Sequence, residues 1–153
     1  MLIISSNSRR GSRAGYTLIE MILVIAILLL LGAMSAFIYS RFYLVNAVSN
    51  SAEMVIFSVR KAQHYSMVGK RDGNWGVALT GGAILVFNGT STATRNTAFD
   101  ESWDVPNNVS FSGFNETIFS RITGVPNVTS TIVISAAGET KTVSVNGQGI
   151  ASQ

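Results

Sequence analysis

The chain has no cysteine among its 153 residues. That excludes a disulfide framework and any thiolate metal site. It has a single histidine, His64, so no second His or Cys exists to complete a zinc site. Proline occurs only at Pro106 and Pro126, and nothing before them forbids an uninterrupted helix. Charge is scarce: 12% of residues are charged against 47% hydrophobic. Such a chain is too apolar to be disordered and reads as a membrane segment joined to a folded part. The net charge of +3 belongs to Arg9, Arg10 and Arg13, because after Gly15 eight Lys and Arg face eight Asp and Glu. A body neutral in side-chain charge gives weak support for binding a nucleic-acid backbone. No phosphate loop is present either: Gly147-Gln148-Gly149 follows a strand-like run and opens no helix. No catalytic residue, cofactor site or metal site emerges, so an enzyme is not expected.

What is present begins with RRGSRAGYTLIEMILVIAILLLL, residues 9–31. Basic residues ahead of an apolar stretch hold that end in the cytoplasm. The run from Leu18 to Ile38 covers 21 residues, about 30 Å as a helix, enough to cross a bilayer. Read from composition alone, three assignments stand. One is a secretory signal peptide, with small residues in Gly32-Ala33-Met34-Ser35-Ala36 after the apolar run. Another is an uncleaved signal anchor. Both treat Glu20 as an interface residue.

The third assignment starts from Gly15-Tyr16-Thr17-Leu18-Ile19-Glu20. This stretch resembles the processing motif of type IV pilins and of the pseudopilins of type II secretion. It is contiguous, follows a short basic leader and stands directly before the apolar helix. The resemblance implies that a prepilin peptidase cuts between Gly15 and Tyr16, that the new amine on Tyr16 is methylated, and that Glu20 becomes the fifth residue of the mature chain. Tyr16 replaces the more usual Phe of that family. A carboxylate inside a bilayer costs about 2.5–3.5 kcal/mol on insertion scales. In the family's filaments the Glu of one subunit approaches the terminal amine of a neighbour, so two charges that are costly alone become tolerable as a pair. The implied role of Glu20 is therefore assembly.

Beyond the apolar run, Val45, Val48, Ala52, Val55, Val59 and Ala62 recur at spacings of three and four, an amphipathic helical stripe. One helix is expected from about Leu18 to Met67, ending at the Gly69–Gly73 cluster of glycines and charges. From Asn74 the composition turns to Gly, Thr, Ser, Asn and β-branched residues. Strands are expected at Trp75–Leu79 and Ala83–Phe87, and a hairpin at Thr131–Ser135 and Lys141–Val145 around Ala137-Gly138-Glu139. Val109, Phe111, Ile118 and Phe119 mark two further short strands. The fold class is α+β: a long N-terminal helix packed on a C-terminal antiparallel sheet, pilin-like. The expected divisions are a leader at 1–15, a transmembrane helix half at 16–40, an amphipathic half at 41–68 and a β-rich head at 69–153.

Asp72-Gly73-Asn74-Trp75-Gly76-Val77, Leu85-Val86-Phe87-Asn88-Gly89 and the terminal Asn146-Gly147-Gln148-Gly149 look like the head of GspH/FimT-type minor pilins and pseudopilins. Asp100, Glu101 and Asp104 gather three acids in five residues, but their spacing matches no cation loop and reads as a solvated loop. The function these resemblances imply is a structural subunit of a type IV pilus or type II secretion pseudopilus. Its partners would be prepilin peptidase, other pilin or pseudopilin subunits and the bacterial inner membrane, with the head outside the cytoplasm. Two alternatives are a minor pilin that binds DNA for uptake, which would need Arg95, Arg121 and Lys141 to converge, and a membrane-anchored periplasmic domain that never polymerises.

Overall fold

The computed structural model describes residues 15–153, apart from the side chains of residues 35–38 and 40. The leader residues before Gly15, Arg9, Arg10 and Arg13 among them, lie outside the described residues. The chain divides into two compact units, Met1–Tyr39 and Ser40–Gln153. Helix α1, Leu18–Met67, runs for 50 residues with no proline in it. In the first unit it is the only regular element among the described residues.

The second unit is built on the later part of α1. A short 3₁₀ turn, Lys70–Asp72, follows, entered through Gly69 in the left-handed region. Eight strands come next: β1 Trp75–Thr80, β2 Ala83–Asn88, β3 Asn96–Asp104, β4 Ser110–Ser112, β5 Glu116–Phe119, β6 Ser130–Ala136, β7 Glu139–Val145 and β8 Ala151–Ser152. The single sheet expected from the sequence is in fact two four-stranded antiparallel sheets, ordered β3-β2-β1-β5 and β4-β6-β7-β8. The α+β class stands.

Turn chemistry fixes the registers. β1 and β2 close on Gly81 and Gly82, both at positive φ, with Thr80 opposite Ala83. Two left-handed residues are what a tight hairpin with right-handed strand twist requires, and glycine adopts them without a steric penalty.

One core joins α1 to the inner faces of both sheets. Val48, Ala52, Val55, Val59 and Ala62 of the helix meet Trp75, Val77, Ile84, Val86 and Phe119 of the first sheet and Ile132, Ile134, Val143 and Val145 of the second. Ser51, Ser58 and Ser66 are buried on the same helix. The buried helix face is thus made of small residues, which lets the helix lie close to two sheets at once. Each fully buried Val adds on the order of 1.5–3 kcal/mol. Val45, the first member of the expected stripe, is instead 37% exposed; the core begins a turn later, at Ala47 and Val48.

The outer face of the first sheet carries a smaller buried cluster, Ala78, Leu85, Phe87 and Ile118. Gly76 makes room for it: a Cβ there would lie 2.6 Å from the Phe87 ring. The segment between β2 and β3 is held over this face from opposite edges of the sheet. Glu116 on β5 accepts from the Thr92 N–H at 2.9 Å, and Arg95 donates to Asp100 on β3 at 2.8 Å.

β3 corrects the loop expected at Asp100–Asp104. Ala83, Ile84, Leu85 and Val86 pair with Asp104, Trp103, Ser102 and Glu101. Acids are poor strand formers in general, but here backbone pairing with a hydrophobic β2 decides the conformation.

Candidate processing and assembly segment

The segment that precedes and opens α1 is shaped by Thr17. Its hydroxyl oxygen accepts from the Glu20 N–H at 3.3 Å, and its carbonyl accepts from the Met21 N–H at 3.2 Å. Thr17 is thus the N-cap and Glu20 stands three residues on, the spacing of a capping box. A carboxylate in the first turn also faces the positive end of the helix dipole. Gly15 and Tyr16 lie just outside the helix, and a Cβ on Gly15 would touch nothing within 4 Å. A peptidase would find this backbone open: Tyr16 and Leu18 are each 78% exposed and Ile19 is 74% exposed.

From Met21 to Met34 the helix is apolar on every side. Its leucines, isoleucines and methionines, such as Ile22, Leu28 and Leu30, are all at least half exposed. A helix apolar all round belongs in lipid or among other helices, not against water. Among the described residues Leu18–Met34 is a shorter apolar helix, and the stretch long and apolar enough, on average, to cross a bilayer is the later Arg41–Met67. That stretch holds Arg41, Glu53, Arg60 and Lys61, and its apolar stripe is spent on the core of the head. Length and mean hydropathy do not separate a core helix from a span; the side on which the apolar residues lie does.

Comparison with known families is made on this geometry. Residues 10–36 match the family model described as the prokaryotic N-terminal methylation motif. Neither the curated proteins nor the solved structures yield a match. The matched segment spans Gly15, Tyr16 and Glu20, the Thr17 cap and the exposed apolar run. The match defines a type IV pilin-like N-terminal segment at residues 10–36.

The other residues singled out in the sequence are placed as follows. Asp100, Glu101 and Asp104 share β3 but do not converge: Glu101 points to the opposite face from the other two, and Asp100 and Asp104 stand four residues apart, about 13 Å along the strand. Asp100 pairs with Arg95 at 2.8 Å. Glu101 pairs with Lys61 and, at 3.7 Å, with Lys70. Asp104 is exposed. Among the described residues no group of three His, Asp or Glu side chains is arranged to hold a metal ion. His64 is exposed on α1, its ring 6.5 Å from that of Tyr65. Of the three cations weighed for DNA, Arg95 is in its pair with Asp100 and Arg121 in a pair with Asp72. Lys141 sits on β7, in the other sheet.

One cluster escaped the sequence reading. Glu101 accepts from the Tyr65 hydroxyl at 3.2 Å as well as pairing with two lysines. Lys61 lies over the Trp103 ring at 4.8 Å, and Lys70 over the Tyr65 ring at 3.4 Å. The Glu101 hydrogen bond, outweighing burial, holds the Lys61 ammonium above its usual pKa. Burial pushes the Glu101 carboxyl up, but Lys61, Tyr65 and Lys70 together outweigh it and hold the group below the usual carboxylate range. The cluster fastens the end of α1 to edge strand β3. Forty residues separate Lys61 from Glu101, so no local spacing announces it.

Proposed function

We propose that the chain is the precursor of a structural subunit of a type IV pilus or of a type II secretion pseudopilus. Prepilin peptidase removes residues 1–15 by cutting after Gly15, and the freed amine of Tyr16 is methylated. Residues 16–40 hold the subunit in the bacterial inner membrane with the head outside the cytoplasm. Residues 41–68 and 69–153 form that head. Other pilin or pseudopilin subunits then receive the apolar helix as the chain leaves the membrane.

The observation that carries this reading is a coincidence of three features in one segment. The methylation motif at residues 10–36 overlies the Thr17-capped helix start and an apolar run exposed on all sides. The motif belongs to structural proteins, and assembly rather than catalysis is the proposed role. Glu20 is given the assembly function. Its carboxylate is costly in lipid and is offset when it meets the methylated Tyr16 amine of a neighbour.

The test is the intact mass and N-terminal residue of the chain recovered from a host with active prepilin peptidase. The expected product begins at Tyr16 and is heavier by one methyl group than that sequence. A product beginning at Met1, or near Ala36, would replace this reading with an anchored or secreted domain.

A further inference from the structure

The head leaves few charges without a partner, and their positions are informative. Among its described residues, every acid except Glu53 and Asp104 is in an ion pair or accepts a hydrogen bond. Every cation except Arg60 and Lys141 is in an ion pair or stacked on a ring. Asp104, exposed, lines an open cleft of about 340 Å³. The apolar residues Ala47, Met54 and Pro106 line it together with the amides of Asn46 and Asn50. A carboxylate, two amide groups and apolar lining are what a guanidinium on an aliphatic stem requires: acceptors for a planar fork of N–H donors and contact for the methylenes.

The chain carries that group on its own surface. Arg60 is exposed on α1. One turn before it, Phe57 is 54% exposed and is braced edge-on against the Trp103 ring at 6.0 Å. Lys141 is the weaker candidate, half-buried on β7 and without the fork. Arg60 lies six residues past Met54, about 9 Å along the helix axis and about 120° around it. A chain cannot bring Arg60 round the helix into its own cleft, so the pairing must be between copies. The two surfaces differ, which makes the contact heterologous, and a heterologous contact that does not close into a ring propagates as a helical filament.

We propose that the cleft at Asp104 receives Arg60 of a second copy of this chain, with Phe57 of that copy covering it, as a heterologous contact between the heads of the filament. The inference rests on the reading of the chain as a filament subunit. It names the surface by which the heads meet.

The experiment uses the full chain in a filament-producing host, with the fraction recovered in sheared filaments as the readout. Asp104→Arg alone and Arg60→Asp alone should each lower that fraction about tenfold by placing like charges together. Co-expressed in one cell, the two variants should recover to within about twofold of wild type, because each retains the surface the other lacks. A folding defect in either variant is not repaired by mixing. Single variants at the wild-type level, or a mixture no better than its components, would overturn the contact while leaving the filament reading intact. Absence of the unmodified chain from filaments would overturn both.

Discussion

Ser58 and Ser66 make a controlled pair. Both lie on α1, both are fully buried, and they are two turns apart. Ser66 is a junction: its hydroxyl donates to the Phe119 carbonyl at 2.9 Å and accepts from the Trp75 N–H at 2.9 Å. Its own carbonyl accepts from Ile122 N–H at 2.9 Å. The Ser58 hydroxyl finds no hydrogen-bond partner among the described residues. Ser66→Ala therefore strands two backbone groups, each costing about 1–3 kcal/mol when left unpaired in the interior. The expected loss is about 3 kcal/mol. For a head spanning Ser40–Gln153, an unfolding entropy near 2.1 cal/mol/K per residue turns this into a fall in Tm of about 12 °C. Ser58→Ala removes an unsatisfied oxygen and raises helix propensity, so it should leave Tm unchanged or raise it by a few degrees. The assay is thermal unfolding of the full chain in detergent, followed by near-UV circular dichroism. Equal destabilisation by the two substitutions would refute the reasoning, because burial alone would then set the cost.

Acid should weaken the head partly through Glu101. Its carboxyl is depressed from 4.5, so the stability it contributes is present above that value and is lost as pH falls through the lower, folded-state pKa. Lys61 is raised from 10.5, so its share is lost only above that value. Glu101→Gln should flatten the acid limb of a Tm profile taken between about pH 3 and pH 6; an unchanged limb would mean that other carboxylates govern it. For the N-terminal segment, Glu20→Ala should leave cleavage after Gly15 near wild type, because the Thr17 cap binds the backbone N–H of residue 20 and not its carboxylate. The same substitution should sharply lower the fraction of chain in filaments, and full incorporation of the variant would remove Glu20 from assembly.

The sequence disclosed most where a physical period runs long or a turn requires special backbone. The α1 boundaries, the Gly81-Gly82 turn and the hairpin around Ala137-Gly138 were legible for that reason. β3 was hidden because Asp100, Glu101, Ser102 and Asp104 carry no strand signal. Their conformation is set by pairing with Ala83–Val86, and the charges are tolerated because Arg95 and Lys61 reach them from elsewhere. β8, two residues long, has no period to detect. The split into two sheets was equally invisible, since alternation reports a buried face without saying which sheet owns it. In the candidate segment, Gly15, Tyr16 and Glu20 were legible as a contiguous motif. The Arg60 and Asp104 surfaces were not, because a charge is conspicuous only once the partners of all the others are known.

The two parts of α1 obey one rule with opposite results. From Val48 to Ser66 the inward residues are Ala, Val and Ser, and the core is completed by the head's own sheets. Nothing in the described chain completes Leu18–Met34, where large apolar side chains stand exposed on every face. Leaving that surface in water would cost about 25 cal/mol for each Å², far more than a marginally stable head could offset. Such a surface calls for a cover of lipid or of other apolar helices, and the proposed subunit would exchange the first for the second. Lipid tails are as apolar as leucine, so the exchange releases little hydrophobic free energy by itself. A polar group costly in lipid and paired among helices would give that proposed exchange a direction. Glu20, on the first turn of that segment, is the only ionisable side chain between Tyr16 and Tyr39.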